Sequence, residues 1–184
     1  FRLGEHTLRV AGIDQLQPGA FTANTSDAKV DQRGLVQSKA EFKINPRWSF
    51  GWDVMIQSDN NFARTYSLSG LDDPVRTNQV YLTGLGRRNS FDLRSFYFDV
   101  QDADPSDTAE KQQAIVHPVL DYTYYHPDPV LGGQLSITTN FTSLSRTNTD
   151  HYNILEGTRV SDRFAGLAGN YNRLSTETEW KRTD

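Results

Sequence analysis

Large apolar side chains occupy every second position in one short segment, and this alternation constrains the fold more than any other feature of the chain. The side chains are those of Trp48, Phe50, Trp52, Val54 and Ile56. Mostly polar or small residues lie between them, so a β-strand here would have one apolar and one polar face. Two tryptophans and a phenylalanine at one end of the apolar face are typical of a strand between lipid and a wet lumen. The inward face of a soluble β-sandwich would show the same pattern, so both environments stay open at this point.

The same alternation recurs along the chain and predicts the fold class. It marks segments at 3–13, 35–44, 48–57, 62–68, 79–85, 90–101, 114–125, 131–144, 163–171 and 173–182. Because no stretch carries a convincing helical period, the chain is predicted to be all-β, an antiparallel meander of nine or ten strands. Short turns such as Asn45-Pro46 alternate with longer polar loops such as 102–112. This asymmetry, with many strands of about ten residues, favours a section of a large transmembrane β-barrel.

One predicted strand changes face along its length. In segment 90–101 the apolar residues Phe91 and Leu93 occupy odd positions, whereas Phe96 and Phe98 occupy even ones. A single extra residue in a strand pair produces this kind of slip. We therefore predict a β-bulge near Ser95.

Composition narrows the possible functions. Hydrophobic residues make up 36% of the chain, aromatic residues 11%, and the mean hydropathy is −0.64, so the chain is polar but not of a disordered type. A net charge of −4 without a basic stripe argues against nucleic acid as a partner. With no cysteine and no nucleophile motif, we expect neither an enzyme nor a cofactor.

The termini predict that the chain is an internal piece of a longer protein. It begins at Phe1 without an initiator methionine, and it stops inside the segment 173–182 that alternates like a strand. We therefore expect residues 1–184 to form part of a single β-barrel domain.

Stretches of the sequence resemble a known family along nearly the whole chain. They lie at 44–54 (INPRWSFGWDV), 57–59 (QSD), 64–66 (RTY), 81–85 (YLTGL), 88–94 (RNSFDLR), 117–122 (HPVLDY), 131–136 (LGGQLS), 140–146 (NFTSLSR) and 172–175 (NRLS). The chain resembles the outer-membrane lipopolysaccharide-assembly protein family, also called organic solvent tolerance protein, in its alphaproteobacterial form.

The resemblance implies a fold, a location and a set of partners. Family members have a periplasmic jelly roll followed by a barrel of about 26 strands in the bacterial outer membrane. They receive lipopolysaccharide from a periplasmic bridge protein and release it into the outer leaflet through a lateral opening, while a small lipoprotein plugs the barrel. This chain would then belong to the first half of the barrel, without the jelly roll that meets the bridge protein and without the gate strands. The family's intramolecular disulfides cannot form within it.

Two sets of side chains are the candidate sites. The apolar set, which we call the stripe (Trp48, Phe50, Trp52, Val54 and Ile56), is expected to face lipid; a sandwich core and a sugar-stacking platform are the alternatives. Asp53 on the opposite face counts against the sugar platform. The lumen-facing candidates are Arg47, Asp53 and Gln57. A solvated or cross-strand-paired face is the favoured interpretation of these three, and contact with the plug lipoprotein or a lipid head group is the other.

Two further groups contain residue types that bind metal ions. His117 and Asp121 are four residues apart on a predicted strand, which separates their Cα atoms by roughly 13 Å. With His126 they are expected to be solvated or hydrogen-bonded, and no metal site is predicted. The acidic residues Asp99, Asp102, Asp104 and Asp107 match calcium-loop spacing only loosely. They are expected to form a solvated loop, with divalent-cation binding as an alternative.

Three functions therefore stay open on the residues and the resemblance. The preferred one is part of the outer-membrane translocon that inserts lipopolysaccharide into the outer leaflet. The alternatives are a soluble glycan-binding β-sandwich and a porin-type channel.

Overall fold

The computed structural model describes residues 3–104, 106, 108–156 and 159–183. Its strands are β1 (Leu3–Asp14), β2 (Gln32–Asn45), β3 (Trp48–Gln57), β4 (Val75–Leu85), β5 (Asn89–Val100), β6 (Ala114–Tyr125), β7 (Gln134–Arg146), β8 (Asp150–Glu156), β9 (Arg159–Gly166) and β10 (Gly169–Lys181). Three single-turn helices, α1 (Ser26–Lys29), α2 (Phe62–Thr65) and α3 (Thr108–Lys111), and a 3-10 turn at Pro18–Ala20 lie in the connections. In this part of the chain, no helix has the length and apolarity needed to cross a membrane.

Eight strands form one sheet in the order β1-β2-β3-β4-β5-β6-β7-β10. Every neighbouring pair is antiparallel. The remaining two strands, β8 and β9, pair only with each other and form a hairpin inserted between β7 and β10. The prediction of an all-β antiparallel meander is therefore confirmed.

Three of the predicted assignments along the chain are wrong. Segment 163–171 is not one strand, because it spans the end of β9, the turn at 167–168 and the start of β10. Segment 62–68 forms α2 and the turn after it, because Phe62 and Ala63 are buried in a small core that a strand at this place would not reach. Strand β8 lies within 145–161, where the alternation of the sequence predicts no strand. Its residues pair only within the exposed hairpin and need no apolar alternation, so the sequence carried no strand signal there.

The bulge predicted near Ser95 is confirmed in its position. The register between β5 and β6 shifts between Arg94 and Phe96, which pair with Val119 and Val116 respectively. Two steps along β5 therefore match three steps along β6, so the extra residue belongs to β6. The β6–β7 register shifts at the same level of β6, between Val116 and Val119. The change of face seen in β5 is thus the response of one strand to a bulge in its neighbour.

The connections differ strongly between the two ends of the sheet. At one end, the short-turn end, the chain turns through 46–47, 86–88 and 126–133. At the other, the long-loop end, it runs through 15–31, 58–74, 101–113 and 147–168, the last of which contains the β8–β9 hairpin. The alternation of short and long connections predicted from the sequence is therefore confirmed.

The buried apolar core lies near the long-loop end. Phe62, Ala63 and Leu71, from the connection between β3 and β4, pack with Leu35 of β2 and Met55 of β3. The core therefore joins a long connection to the sheet, rather than one sheet to another.

Candidate lipid and lumen interface

A row of apolar side chains crosses the sheet on one face. Cross-strand partners carry it from β2 to β10 through seven strands in unbroken register. Its members are Phe42, Phe50, Leu82, Leu93, Leu120, Phe141 and Leu174. None of the seven is buried, and Leu174 is 69% exposed. A continuous exposed apolar surface of this kind marks contact with a membrane or with another protein.

A second row of cross-strand partners, one residue closer to the short-turn end of each strand, is polar. Its cross-strand partners are Lys43, Ser49, Thr83, Asp92, Asp121, Asn140 and Ser175. Because neighbouring residues of a strand point to opposite faces, this row lies on the face opposite the apolar row. The sheet therefore has one apolar and one polar face, and each is consistent across seven strands. We call them the apolar face and the polar face.

The stripe lies on the apolar face, since Phe50 belongs to both the stripe and the apolar row. Two of its aromatic rings pack against neighbouring rings on that face. The ring centroids of Trp48 and Phe91 are 5.3 Å apart, and those of Trp52 and Phe42 are 5.6 Å apart. The indole Nε1 of Trp52 donates to Ser38 Oγ at 2.9 Å, which satisfies its polar atom. No residue of the stripe is buried, and Ile56 at the long-loop end is 72% exposed. The described residues place no second sheet over it.

Asp53 is the centre of an ionic cluster on the polar face. Its carboxylate pairs with Arg76 of β4, accepts a hydrogen bond from Gln37 Nε2 at 3.0 Å, and lies 3.7 Å from Lys39 Nζ. The cluster joins three adjacent strands, so the structure gives Asp53 the cross-strand pairing expected of a structural role. Arg76 is not among the residues predicted for this face, because the alternation that marks β4 in the sequence begins only at Gln79, whereas the strand itself begins at Val75.

Gln57 also lies among polar partners, whereas Arg47 lies apart. The side chain of Gln57 donates through Nε2 to Asp99 Oδ2 at 3.1 Å and accepts the N–H of Ala63 at 3.3 Å. It therefore holds the connection 58–74 against the sheet. Arg47 is exposed in the turn between β2 and β3, where its carbonyl accepts the N–H of Leu85 at 2.8 Å. Asp53 and Gln57 thus each have their own polar partners on the polar face, whereas Arg47 lies in a turn.

A polar groove of about 480 Å³ runs over the same face towards the short-turn end. Lys39, Asp53, Tyr81 and Arg94 line it together with acidic side chains of β1 and β2. The guanidinium of Arg94 is held by two bonds to Asp92, at 2.6 and 2.8 Å, and lies 5.3 Å from the centre of the Tyr81 ring. Charges of both signs and an aromatic edge make this a surface for polar, hydrogen-bonding ligands or protein partners.

A buried arginine organises the polar face at the long-loop end. The side chain of Arg33, the second residue of β2, is fully buried and pairs with Asp27 at 2.6 Å and Asp59 at 2.7 Å. Burial by itself would raise the pKa of Asp59, but the hydrogen bonds from Arg33 and the N–H of Asn61 outweigh it and lower the pKa below the ordinary 3.8. The guanidinium carbon also lies 5.5 Å from the ring centres of Phe62 and Tyr66. Asp59 is therefore ionised at neutral pH and compensates the buried cation.

The residues considered for metal binding have other partners. His117 Nε2 lies 2.9 Å from Ser145 Oγ, Asp121 accepts from Asn140 Nδ2 at 2.7 Å, and His126 Nδ1 lies 2.9 Å from the carbonyl of Asp128. Across the described part of the chain, no three histidine or carboxylate side chains come together as metal ligands.

The acidic run is dispersed. Asp99 is buried beside Gln57, whereas Asp104 is exposed and accepts hydrogen bonds from the N–H and hydroxyl of Ser106, which lower its pKa. Asp107 lies outside the described residues.

A single antiparallel sheet with one apolar and one polar face, short turns at one end and long loops at the other, has the features of an outer-membrane barrel wall. The sequence model of the LPS transport system D (LptD) family matches residues 31–183, and the chain belongs to that family. No curated protein matches the chain. The resemblance drawn from the sequence is therefore confirmed for the family, whereas the alphaproteobacterial type and the fragment character stay predictions.

Membership of the family fixes the general function. The chain is a component of lipopolysaccharide transport, and its family is a transport family rather than an enzyme family. LptD-family proteins are components of the outer membrane and act with lipopolysaccharide and with other proteins of that membrane.

Proposed function

We propose that residues 1–184 form a section of the barrel wall, within a single barrel domain, of the outer-membrane translocon that inserts lipopolysaccharide into the outer leaflet. The observation that carries the proposal is the apolar row from Phe42 to Leu174, which stays in register over seven strands beside a polar row on the opposite face. In an outer-membrane barrel the outward face is apolar and the interior is polar. The stripe would then face lipid, and Asp53 and Gln57 would face the lumen.

In this role the wall acts physically rather than chemically. Backbone groups within hydrocarbon must be hydrogen-bonded inside the protein, and the paired ladders of the sheet supply those bonds. The polar face gives the sugars of lipopolysaccharide a wet surface rich in hydroxyl, amide and charged groups. The acyl chains stay on the lipid side and leave through a lateral opening, which the family resemblance assigns to strands outside this chain.

The proposed barrel wall also suggests how the sheet is oriented in the membrane and which of its surfaces meet partner proteins. Outer-membrane barrels have short periplasmic turns and longer extracellular loops. We therefore assign the 46–47 and 86–88 turns to the periplasm and the long-loop end to the outside of the cell. The polar groove beside Arg94 is the surface that we assign to the plug lipoprotein. The periplasmic bridge protein would meet the jelly roll of the whole protein rather than this section.

The two alternative functions receive less support. A soluble β-sandwich needs a second sheet packed on the apolar face, and the described residues contain only one large sheet and an exposed hairpin. A porin-type channel would share the two-faced wall, but the family match at residues 31–183 is to a lipopolysaccharide transport family.

Depletion of the full-length protein from its native cell tests the translocon role. We expect newly made lipopolysaccharide to be stranded below the outer leaflet, measured by surface labelling against total lipopolysaccharide. Re-expression of the wild-type protein should restore the labelled fraction. Normal surface lipopolysaccharide in depleted cells would overturn the proposal, and defective uptake of small solutes in those cells would favour the channel.

A further inference from the structure

Three exposed arginines lie in neighbouring turns at the short-turn end of the sheet. Arg47 belongs to the turn between β2 and β3, and Arg87 and Arg88 belong to the turn between β4 and β5. The two turns are adjacent, because the N–H of Leu85 donates to the carbonyl of Arg47 at 2.8 Å. We call these three residues the basic patch.

The turns fix the backbone of the basic patch and leave two of its guanidinium groups unused. Asn45 Oδ1 accepts the N–H of Arg47 at 2.8 Å, which fixes the first turn. Arg88 Nη1 donates to the carbonyl of His126 at 3.1 Å, which joins the second turn to the third. In the part of the chain that the structure describes, the guanidinium groups of Arg47 and Arg87 make no hydrogen bond or ion pair. These two groups are therefore available to an anionic ligand.

A pocket of about 190 Å³ lies beside Arg47, and its aromatic lining comes from three strands. The rings are those of Trp48 on β3, Phe91 on β5 and Tyr122 on β6. Cross-strand register puts them in one row, with Gly84 of β4 between Trp48 and Phe91. Gly84 leaves the room that the indole needs, because a Cβ there would lie 2.8 Å from the Trp48 ring. Since Trp48 belongs to the stripe, this aromatic row lies on the apolar face.

The aromatic row lies between the apolar row and the basic patch. Trp48 is two residues closer to the short-turn end than Phe50, and Tyr122 is two residues closer than Leu120. Outer-membrane barrels have girdles of aromatic residues where the apolar band meets each interface. Arginines just beyond such a girdle lie at the level of lipid phosphates, and a guanidinium binds phosphate through two parallel N–H···O bonds. The pocket thus combines an apolar wall with a phosphate-binding edge.

We propose that the basic patch and this pocket form a binding site for an anionic glycerophospholipid of the periplasmic leaflet. Arg47 and Arg87 bind its phosphate group, and the aromatic row contacts the glycerol and the first acyl carbons. The inference rests on the proposed barrel wall, in which we assign the short turns to the periplasm. The bound lipid then belongs to the leaflet opposite to the one that receives lipopolysaccharide.

Native mass spectrometry of the delipidated full-length protein tests the site. The protein is titrated with dioleoylphosphatidylglycerol, which is anionic, and with dioleoylphosphatidylcholine, which has the same acyl chains and no net charge. The charge variant is Arg47→Gln with Arg87→Gln. Its matched control is Lys29→Gln with Arg163→Gln, which removes two exposed cations at the long-loop end. Tyr122→Ala reduces the aromatic row and leaves the charge unchanged.

We expect the wild-type protein to bind phosphatidylglycerol several-fold more tightly than phosphatidylcholine. The charge variant should lose this preference and the control should keep it, while Tyr122→Ala should weaken the binding of both lipids. If the charge variant does not fold, Arg87→Gln alone decides, since it should lose part of the preference.

Three results would overturn the site: equal binding of the two lipids by wild type, an unchanged preference in the charge variant, or the same loss of preference in the control. Normal binding of both lipids by Tyr122→Ala would exclude the pocket. Displacement of phosphatidylglycerol by an equal concentration of inorganic phosphate would overturn a lipid as the occupant. Because binding is measured without transport, its failure is distinguishable from a failure of the translocon role in the depletion experiment.

Discussion

The side chain of Asn78 on β4 accepts the backbone N–H of Met55 on β3, beyond the point where backbone pairing between these two strands ends. Its side-chain Oδ1 accepts the N–H of Met55 at 2.7 Å, two residues beyond the last backbone pair of β3 and β4, which joins Asp53 to Gln79. Both Asn78 and Met55 are buried. At this level the wall is therefore closed by side chains rather than by backbone pairing.

Replacing Asn78 by alanine should destabilise the full-length protein. The change leaves the buried N–H of Met55 without its acceptor, and an unsatisfied buried donor costs about 1–3 kcal/mol. The unfolding midpoint in urea, measured in detergent, should fall. Asn172→Ala on β10 is the control, because Asn172 is exposed and its loss should leave the midpoint unchanged. Equal midpoints for the two variants would contradict the bridging role of Asn78.

Lysine substitutions along the stripe should have costs that depend on depth. A lysine at the membrane midplane costs about 2–4 kcal/mol, and one near an interface about 0–1 kcal/mol. Trp52→Lys should therefore destabilise the full-length protein more than Trp48→Lys or Ile56→Lys. Ser49→Lys, on the polar face of the same strand, should have little effect. A uniform cost along the stripe would instead indicate a protein core.

Gly51 should not tolerate a side chain. A Cβ at this position would clash with Tyr81 Oη and lie 2.6 Å from the carbonyl of Ala40, so the polar face has to shift. We expect Gly51→Ala to cost about 1–3 kcal/mol, as overpacking does elsewhere. At Gly12 the nearest atom would be the carbonyl of Arg33 at an ordinary 3.6 Å, so Gly12→Ala is the matched control. Chemical unfolding of the full-length variants would compare the two, and equal stability would contradict the close approach.

The cap, which consists of the three long connections packed on the polar face (15–31, 58–74 and 101–113), should become more accessible to protease in acid. The pKa of Asp59 is lower in the folded protein than its ordinary 3.8, so the ionised form contributes stability above the ordinary value. That contribution is lost as the pH falls from the ordinary pKa through the lowered one. An acid-stable protease should therefore cut the 58–74 connection faster as the pH drops through this window. In Asp59→Asn the cutting rate should start higher and change less, and parallel pH profiles would exclude Asp59 as the titrating group.

The sequence predicted the wall far better than the cap. Alternation in the sequence follows from the different surroundings of the two faces of the sheet, so β3 and β6 could be located almost to the residue. The bulge near Ser95 left its own signal, because a change of register moves apolar residues from odd to even positions. Family membership was also readable, since matching stretches recur from Ile44 to Ser175.

The cap could not be predicted, because its order comes from contacts between distant residues. Phe62 and Leu68 alternate as they would in a strand, and only burial against Leu35 and Met55 makes this segment a helical turn. Arg33 precedes the alternation that marks β2 in the sequence, which begins at residue 35, although its guanidinium pairs with carboxylates six residues before it and 26 residues after it. The partners of Asp53 could not be predicted either, because Gln37 and Arg76 lie on other strands, far from it in the sequence. The expectation that the stripe faces lipid stays a prediction.

The pairing of β7 directly with β10 sets the β8–β9 hairpin outside the sheet. An excursion of two antiparallel strands returns the chain to the end that it left, so the up-and-down order of the wall is the same with or without it. The hairpin can therefore lengthen, shorten or exchange its surface residues while the wall keeps its strand count and register. This makes it the natural position for an epitope tag, and the part of the chain most free to diverge among relatives.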